Sequence, residues 1–124
     1  MIIFDTDVLI WILRGKEEVI EKAKQIIEDT NGYVYITPIQ IAEIYAGARK
    51  REIPSIERLL NSFKHIEINS EIGKLAGELL NKYRKSHNVE LADSLIASCC
   101  IVCGFKLWTF NKKHYPMIKD ENIL

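Results

Sequence analysis

The 124-residue sequence lacks several features that would each place it in a special class of protein. It has no apolar run near the roughly 18 residues that a membrane-spanning helix needs, and no basic segment precedes its first apolar stretch. Its 17 basic and 17 acidic residues cancel, so no global positive field attracts nucleic acid. We therefore expect a cytoplasmic protein with neither a membrane span nor a secretory signal, in which any binding of nucleic acid depends on local patches of charge.

Cysteine is also scarce, and all three cysteines, Cys99, Cys100 and Cys103, lie in one apolar stretch. The spacing of Cys100 and Cys103 occurs in redox and metal sites, but no second Cys/His pair stands at zinc-finger spacing. We interpret the three as small buried hydrophobic residues of a protein in a reduced compartment. The remaining composition, 48% hydrophobic and 27% charged, predicts one globular domain over residues 1–124.

Three carboxylates, far apart in the chain, each interrupt an apolar run. The runs are Ile-Ile-Phe-Asp5, Ile-Ala-Glu43-Ile-Tyr-Ala and Leu-Ala-Asp93-Ser-Leu-Ile-Ala. A carboxylate beside a core loses hydration, so it needs a counter-charge, hydrogen-bond donors or a metal ion. If the three converge, a hard divalent cation such as Mg²⁺ is their simplest common partner. The pattern therefore predicts a metal-dependent hydrolase.

Predicted strands and helices alternate along the chain. β-Branched and apolar runs predict strands at 2–5, 33–36, 65–68 and 106–110. Helical spacing of apolar residues, with Thr37 as an N-cap and glycines at the ends, predicts helices at 7–13, 16–29, 37–48, 53–63, from 70 to at least 83, and 90–103. This alternation predicts an α/β protein whose parallel sheet is covered on both faces.

The fold predicted in this way would bring the acids together. In such a sheet, ligands bind beyond the carboxyl ends of the strands. Asp5 directly follows the first strand and Asn111 directly follows the last one. Glu43 lies in the helix after the second strand, and Asp93 lies in the first turn of a buried helix. We therefore expect one acidic pocket at this edge of the sheet.

Simpler structural roles remain open for some of these acids. Asp7 and Asp93 are each also consistent with a first-turn acid that favours a helix N-terminus. Glu43 falls on a helical stripe with Gln40 that is compatible with a solvent-facing surface. Asp5 has the weakest structural alternative, because an apolar run follows it directly.

Four segments, taken in order, resemble the PIN-domain family, and within it the small toxins of virulence-associated (VapC-type) toxin–antitoxin pairs. The segments are Asp5-Thr6-Asp7-Val8-Leu9-Ile10, Ile41-Ala42-Glu43-Ile44, Leu91-Ala92-Asp93-Ser94-Leu95-Ile96-Ala97 and Thr109-Phe110-Asn111-Lys112-Lys113-His114-Tyr115. The resemblance implies a three-layer α/β/α fold with a central, mostly parallel sheet flanked by helices.

The resemblance also implies an activity, a cofactor and a set of site residues. It implies an endoribonuclease that depends on Mg²⁺, for which Mn²⁺ can substitute, with the metal held by Asp5, Glu43 and Asp93. Asn111 would complete the catalytic set. The supporting residues would be Thr6, Asp7, Thr109 and His114.

Two positions depart from the family pattern. Many members carry a fourth acid where this chain has His114, and a neutral side chain, Asn or Ser among them, where it has Asp7. An imidazole in place of a carboxylate removes a hard oxygen ligand, which leaves the binding of a second metal open. His114 is equally compatible with contacting phosphate and with a structural role.

The resemblance further implies partners: an RNA substrate, a second copy of the chain in a homodimer, and an antitoxin that inserts a basic side chain into the acidic pocket. Basic residues outside the pocket are candidates for RNA binding: Arg14, Lys16, Arg49, Lys50, Arg51, Lys112 and Lys113. An excess of apolar residues predicts a groove for the antitoxin: Ile39, Ile44, Tyr45, Ile53, Ile56, Leu59 and Leu60.

Three alternatives to this function are open at the level of sequence. Asp5-Thr6-Asp7 mimics the Asp-x-Asp pair of haloacid-dehalogenase-type phosphatases, but no later Asp-Asp pair supplies metal ligands. A phospho-receiver domain would need an aspartate at the end of a middle strand, where this chain offers Thr37 or Asn69. A non-catalytic interaction module with the same fold is the third alternative.

Overall fold

The computed structural model describes residues 1–124, in which two helices follow each of the first three strands. The strands are β1 (Ile2–Phe4), β2 (Val34–Ile36), β3 (Lys64–His65) and β4 (Lys106–Trp108). The helices are α1 (Thr6–Leu13), α2 (Glu17–Asp29), α3 (Pro38–Ala46), α4 (Ile53–Asn61), α5 (Ser70–His87) and α6 (Leu91–Cys103).

The four strands form one parallel sheet in the order β3-β2-β1-β4. Parallel neighbours need crossover connections, and the helix pairs supply them. Strand β1 therefore lies between β2 and β4, with Ile3 opposite Tyr35 on one side and Leu107 on the other. The carboxyl ends of these three strands meet at one edge, as the sequence predicted.

The alternation of side chains along β1 divides the core into two layers. Ile2 and Phe4 belong to an apolar cluster with buried residues of α1, α2, α3 and α4. Ile3, between them, points to the opposite face and packs in a second cluster with residues of α5 and α6. The predicted three-layer α/β/α architecture is therefore confirmed.

Helix boundaries follow the predicted caps closely. The Thr37 hydroxyl accepts a hydrogen bond from the Ile39 N–H at 3.0 Å, and Pro38 opens α3. Gly104 ends α6 with a φ of 70°, a left-handed conformation that glycine adopts without strain. No helix of the structure is both long enough and apolar enough to cross a membrane.

The predicted final strand is too long, since β4 ends at Trp108 and not at residue 110. The chain leaves the sheet there because its next donors bond to carboxylates and not to a neighbouring strand. The Thr109 hydroxyl donates to Asp5, and the Phe110 N–H donates to Asp7. The third strand is likewise shorter than predicted, and covers only Lys64–His65.

Candidate active site

Asp5 lies where β1 ends and α1 begins, and both of its carboxylate oxygens are hydrogen-bonded. Oδ1 accepts from the Thr6 N–H at 2.8 Å, and Oδ2 accepts from the Thr109 hydroxyl at 2.7 Å. Thr109 directly follows β4, and the pairing of β4 with β1 brings the two side chains to the same edge. Asp5 is only 7% exposed, so these bonds fix its carboxylate in one orientation.

Asp7 joins the first turn of α1 to the segment after β4. Its Oδ1 accepts from the Val8 N–H at 2.8 Å, and its Oδ2 accepts from the Phe110 N–H at 3.0 Å and from Asn111 Nδ2 at 3.1 Å. The Asn111 N–H donates in turn to the Thr109 hydroxyl at 3.0 Å. Asp7 is therefore a first-turn acid of α1, one of the alternatives left open by the sequence, and it also orders the segment that carries Thr109 and Asn111, which the sequence did not predict.

Glu43 reaches the same edge from α3. Its Oε1 accepts a hydrogen bond from the Thr6 hydroxyl at 2.7 Å, which ties α3 to the start of α1. Glu43 is more exposed than Asp5 or Asp93, so it is the acid of this set that solvent or a ligand reaches most freely.

Gln40, which the sequence placed on the same stripe as Glu43, is fully buried, so a solvent-facing stripe is wrong for this residue. Its Nε2 donates to the Phe4 carbonyl at 3.0 Å, and its Oε1 accepts from the Thr37 N–H at 3.0 Å. This side chain locks α3 to the end of β1, one residue before Asp5. Helical periodicity does not predict this burial, because glutamine is polar and a polar residue is assigned to the surface of a helix.

Asp93 caps its own helix and also faces the acids of the other elements. Its Oδ2 accepts from the Glu90 N–H at 3.2 Å, which closes the first turn of α6. The Nδ1 of His114 lies 3.9 Å from the same oxygen. His114 therefore stands beside Asp93, on the short turn that follows Asn111.

These side chains line one cavity of about 290 Å³, which we call the acidic cavity. Its walls are Asp5, Thr6, Asp7, Ile10, Glu43, Asn88, Glu90, Asp93, Asn111 and His114. Every predicted site residue except Thr109 therefore lines this cavity. Thr109 does not line it, but its hydroxyl donates a hydrogen bond to Asp5. Asn88 and Glu90 were not predicted. The position of Glu90 three residues before Asp93, as in a capping box, is the one signal in the sequence that indicated it.

Tyr115 was not predicted either. It is 1% exposed and packs in the same core cluster as Ile3, and its hydroxyl has no hydrogen-bond partner in the structure. Burial, together with the nearby charges of Asp5 and Asp93, raises the pKa of this hydroxyl. A buried tyrosine is indistinguishable from an ordinary core aromatic in the sequence, and its place at the end of the fourth family-like segment was the one signal that included it.

Three acids of the cavity, Asp7, Glu43 and Asp93, are destabilised in their charged forms. Burial, followed by the charge of Asp5, raises the pKa of Asp7 to about 6. Burial also raises the pKa values of Glu43 and Asp93, although each accepts a hydrogen bond that lowers it. His114 lies 3.9 Å from Asp93, and no Lys or Arg forms an ion pair with a carboxylate of the cavity. Positive charge is therefore what the cavity lacks.

This donor set fits a hard divalent cation. The cavity presents carboxylate and amide oxygens, with no thiolate among its walls, and such oxygens are the ligands that Mg²⁺ prefers. No three acidic, histidine or cysteine side chains lie close enough together to form a complete set of metal ligands. That arrangement is compatible with Mg²⁺, because the ion usually binds one or two carboxylates and completes its coordination with water and substrate phosphate.

A mostly apolar groove of about 240 Å³ adjoins the acidic cavity and shares Ile10 and Glu43 with it. The groove is lined by Ile10, Leu13, Arg14, Glu43, Ile44, Gly47, Ala48, Glu52 and Ile56. A groove was predicted here, but most of the residues chosen for it pack inward. Ile44, Ile56 and Leu60 are buried in the core, and only Tyr45 of the seven is largely exposed.

The cysteines lie outside the site. Cys99 and Cys100 are buried free thiols of α6, as predicted, whereas Cys103 is partly exposed. Burial raises the pKa of Cys99 to about 11 and that of Cys100 further still, so both remain protonated and unreactive.

The chain belongs to the PIN domain family, whose model matches residues 2–117. This membership decides against the phosphatase and phospho-receiver alternatives. The ribonuclease VapC10 of Mycobacterium tuberculosis is 36% identical over 121 residues, which cover 97% of this chain and 90% of that protein. The ribonuclease VapC19 of the same species is 27% identical over 121 residues, which cover 97% of this chain and 96% of that protein.

Solved structures share the fold over the whole chain. A toxin–antitoxin complex from Klebsiella pneumoniae contains a chain that is 25% identical, with a TM-score of 0.79 and coverage of 100% of this chain and 96% of that chain. A DNA-bound VapBC structure from Salmonella typhimurium matches with a TM-score of 0.82 at 20% identity, over 99% of this chain and 96% of that chain.

Proposed function

We propose that this chain is a divalent-metal-dependent endoribonuclease and the toxin of a toxin–antitoxin pair. The observation that carries the proposal is the convergence of Asp5, Glu43 and Asp93 on one cavity that no Lys or Arg neutralises. The relatives named as VapC ribonucleases support RNA as the substrate. One nuclease domain would span residues 1–124 and act in the cytoplasm.

Asp5, Glu43 and Asp93 would hold the metal, with Mg²⁺ as the expected ion and Mn²⁺ as a substitute. A bound divalent cation would neutralise the phosphate and lower the pKa of an attacking water, as in other metal-dependent hydrolases. Burial, and to a smaller extent repulsion from neighbouring acids, raises the pKa values of Glu43 and Asp93, and a bound cation would offset this penalty on their charged forms.

The chain's own residues would orient the metal-binding carboxylates, contact the substrate and accept a proton. Thr109 orients Asp5 and Thr6 orients Glu43, each through a hydroxyl donor at 2.7 Å. Asn111 is held by Asp7 at the wall of the cavity, and its amide would contact the substrate there. One carboxylate of the cavity would accept the proton of the attacking water, and Glu43, which is more exposed than Asp5 and Asp93, is our candidate for this general base.

The antitoxin is the expected protein partner, because solved relatives of this fold include toxin–antitoxin complexes. The groove beside the cavity offers an apolar surface for a partner peptide. A basic side chain inserted from it would pair with the cavity acids in place of the metal, so inhibitor and metal should compete. We also expect the active toxin to be a homodimer.

The experiment that tests the proposed function is RNA cleavage by protein freed of any bound inhibitor. We expect cleavage with Mg²⁺ or Mn²⁺ and none with excess EDTA. A non-catalytic interaction module would leave RNA intact under every metal condition. Co-expression with the protein encoded by the adjacent upstream gene tests the toxin role: a stable complex should be inactive, and added Mg²⁺ should partly restore cleavage. The absence of a complex, or a fully active one, would contradict the toxin role alone.

A further inference from the structure

Two exposed aromatic side chains flank Asp7 beside the acidic cavity. Trp11 lies one helical turn after Asp7 on the exposed stripe of α1 and is 38% exposed. Phe110, whose N–H donates to Asp7 at 3.0 Å, is 49% exposed. Phe110 makes an edge contact with the buried Trp108, at 5.8 Å between ring centroids, whereas Trp11 belongs to neither apolar cluster. Both rings remain partly exposed to solvent.

Two cationic side chains lie over the ring of Trp11. The guanidinium carbon of Arg14 and the Nζ of Lys16 each lie 5.4 Å from the centroid of its ring. Gly15 adopts a φ of +78° between them, which reverses the chain after α1 and brings Lys16 back over the indole. Neither Arg14 nor Lys16 forms an ion pair with a carboxylate. Their charges are therefore free for an anionic ligand.

Other basic residues of the chain are less well placed. Lys112 is paired with Asp120 at 3.3 Å. Arg49, Lys50 and Arg51 lie outside the walls of the acidic cavity, on the short turn before α4. Arg14 lies seven residues after Asp7 and lines the groove that adjoins the acidic cavity. Arg14 and Lys16, which form no ion pair, lie beside a partly exposed aromatic ring at the helix that carries Asp7. This combination defines the Trp11 cluster, by which we mean Trp11, Arg14 and Lys16.

An RNA strand has the chemistry that matches this cluster. The acidic cavity repels the phosphates on either side of the scissile one, so binding needs cations close by. Aromatic rings bind unpaired bases by stacking, and they do so with little dependence on sequence. The rise of the helix places Trp11 about 6 Å from Asp7 along the axis, so a nucleotide next to the one held at the cavity reaches it.

We propose that the Trp11 cluster is a subsite for an unpaired nucleotide that flanks the scissile phosphate. Arg14 and Lys16 bind its phosphate, and the indole stacks on its base. This inference rests on the proposed ribonuclease function and deepens it, because it assigns the residues that bind a nucleotide next to the scissile phosphate. Bases within an RNA duplex are stacked on each other and are not available to the indole.

The test measures KM and kcat for a short single-stranded RNA in Mg²⁺. Trp11→Ala should raise KM about 5- to 100-fold, the range expected for loss of one stacked base, with little change in kcat. Trp11→Phe should restore most of the affinity. Arg14→Gln and Lys16→Gln should each reduce the slope of log KM against log salt concentration by about 0.7, the value for one phosphate contact on a single strand.

Tyr33→Ala is the matched control. Tyr33 is also an exposed aromatic with a lysine near its ring, the Nζ of Lys64 at 5.1 Å, but it lies just before β2, at the opposite edge of the sheet. Its KM should equal that of the wild type. An unchanged KM in Trp11→Ala, or an equal rise in Tyr33→Ala, would overturn the proposal. Loss of antitoxin binding in Trp11→Ala with an unchanged KM would also overturn it, in favour of a protein contact.

Fluorescence measures RNA binding at the subsite independently of catalysis. Trp11 is the exposed one of the two tryptophans, since Trp108 is buried. At low salt in EDTA, a single-stranded RNA oligonucleotide should quench the emission of the wild type but not that of Trp11→Phe. Quenching without cleavage in Mg²⁺ would support the subsite while contradicting the nuclease. Cleavage without quenching, and with an unchanged KM in Trp11→Ala, would contradict the subsite alone.

Discussion

The raised pKa of Asp7 predicts how the stability of the metal-free protein depends on pH. The pKa rises from 3.8 to about 6 in the folded state, chiefly through burial and then through the charge of Asp5. Between these two values the folded protein binds a proton that the unfolded chain has released. Stability should therefore fall as the pH rises from about 4 to about 6 and should level off above that.

The size of this effect follows from the shift. A shift of about 2 pKa units corresponds to about 3 kcal/mol at most. Asp7 is only partly buried, so solvent screening should reduce the effect to about 1 to 2 kcal/mol. Asp7→Asn removes the titration, but its amide nitrogen cannot accept the hydrogen bonds that both Asp7 oxygens accept, so the variant carries a constant loss of stability at every pH. The stability of the variant relative to the wild type should therefore rise by about 1 to 2 kcal/mol between pH 4 and pH 7.

Urea unfolding in EDTA at several pH values between 4 and 7.5 measures the difference. With an m-value of about 2 kcal/mol/M, the relative midpoint of Asp7→Asn should rise by about 0.5 to 1 M across this range. Glu28→Gln, on the exposed surface of α2, is the control and should run parallel to the wild type. A constant difference between wild type and Asp7→Asn, or one that shrinks towards pH 7, would refute the assigned cause of the shift.

Three further predictions concern single side chains around the cavity. Tyr115→Phe removes a buried hydroxyl without a partner, so it should raise the thermal midpoint by about 4 °C, a gain of about 1 kcal/mol, whereas a fall would show that the hydroxyl is bonded. Gln40→Ala leaves the Phe4 carbonyl and a backbone N–H unpaired, and chemical denaturation should show a loss of about 2 to 4 kcal/mol. His114→Ala removes the charge that lowers the pKa of Asp93, so the acid limb of the pH–rate profile should move to higher pH; an unmoved limb would assign His114 a purely structural role.

The sequence predicted the elements that depend on local chemistry. Thr37-Pro38 and Gly104 mark helix ends because capping and left-handed backbone are properties of single residues. Asp5 was predictable as a site residue because a carboxylate between a buried strand and an apolar run needs a polar or metal partner. The family-like segments then connected it to Glu43 and Asp93 across the chain.

What the sequence could not supply depends on long-range contacts. The burial of Gln40 requires the Phe4 carbonyl, 36 residues earlier in the chain. The early end of β4 requires the carboxylates of Asp5 and Asp7, more than 100 residues away. The apolar residues of α3 and α4 were overestimated as a surface for a partner, because periodicity does not show how many faces a short helix buries.

The central claim is that Asp5, Glu43 and Asp93 act together as the metal-dependent catalytic set, and isosteric replacement tests it most directly. Asp5→Asn, Glu43→Gln and Asp93→Asn each remove a charge while retaining an oxygen acceptor, and Glu28→Gln is the control. We expect each of the three to lose at least about 100-fold in the rate of RNA cleavage in Mg²⁺. Their thermal midpoints in EDTA should be unchanged or higher, because one repelling charge is gone. Full cleavage activity in all three variants would contradict the account.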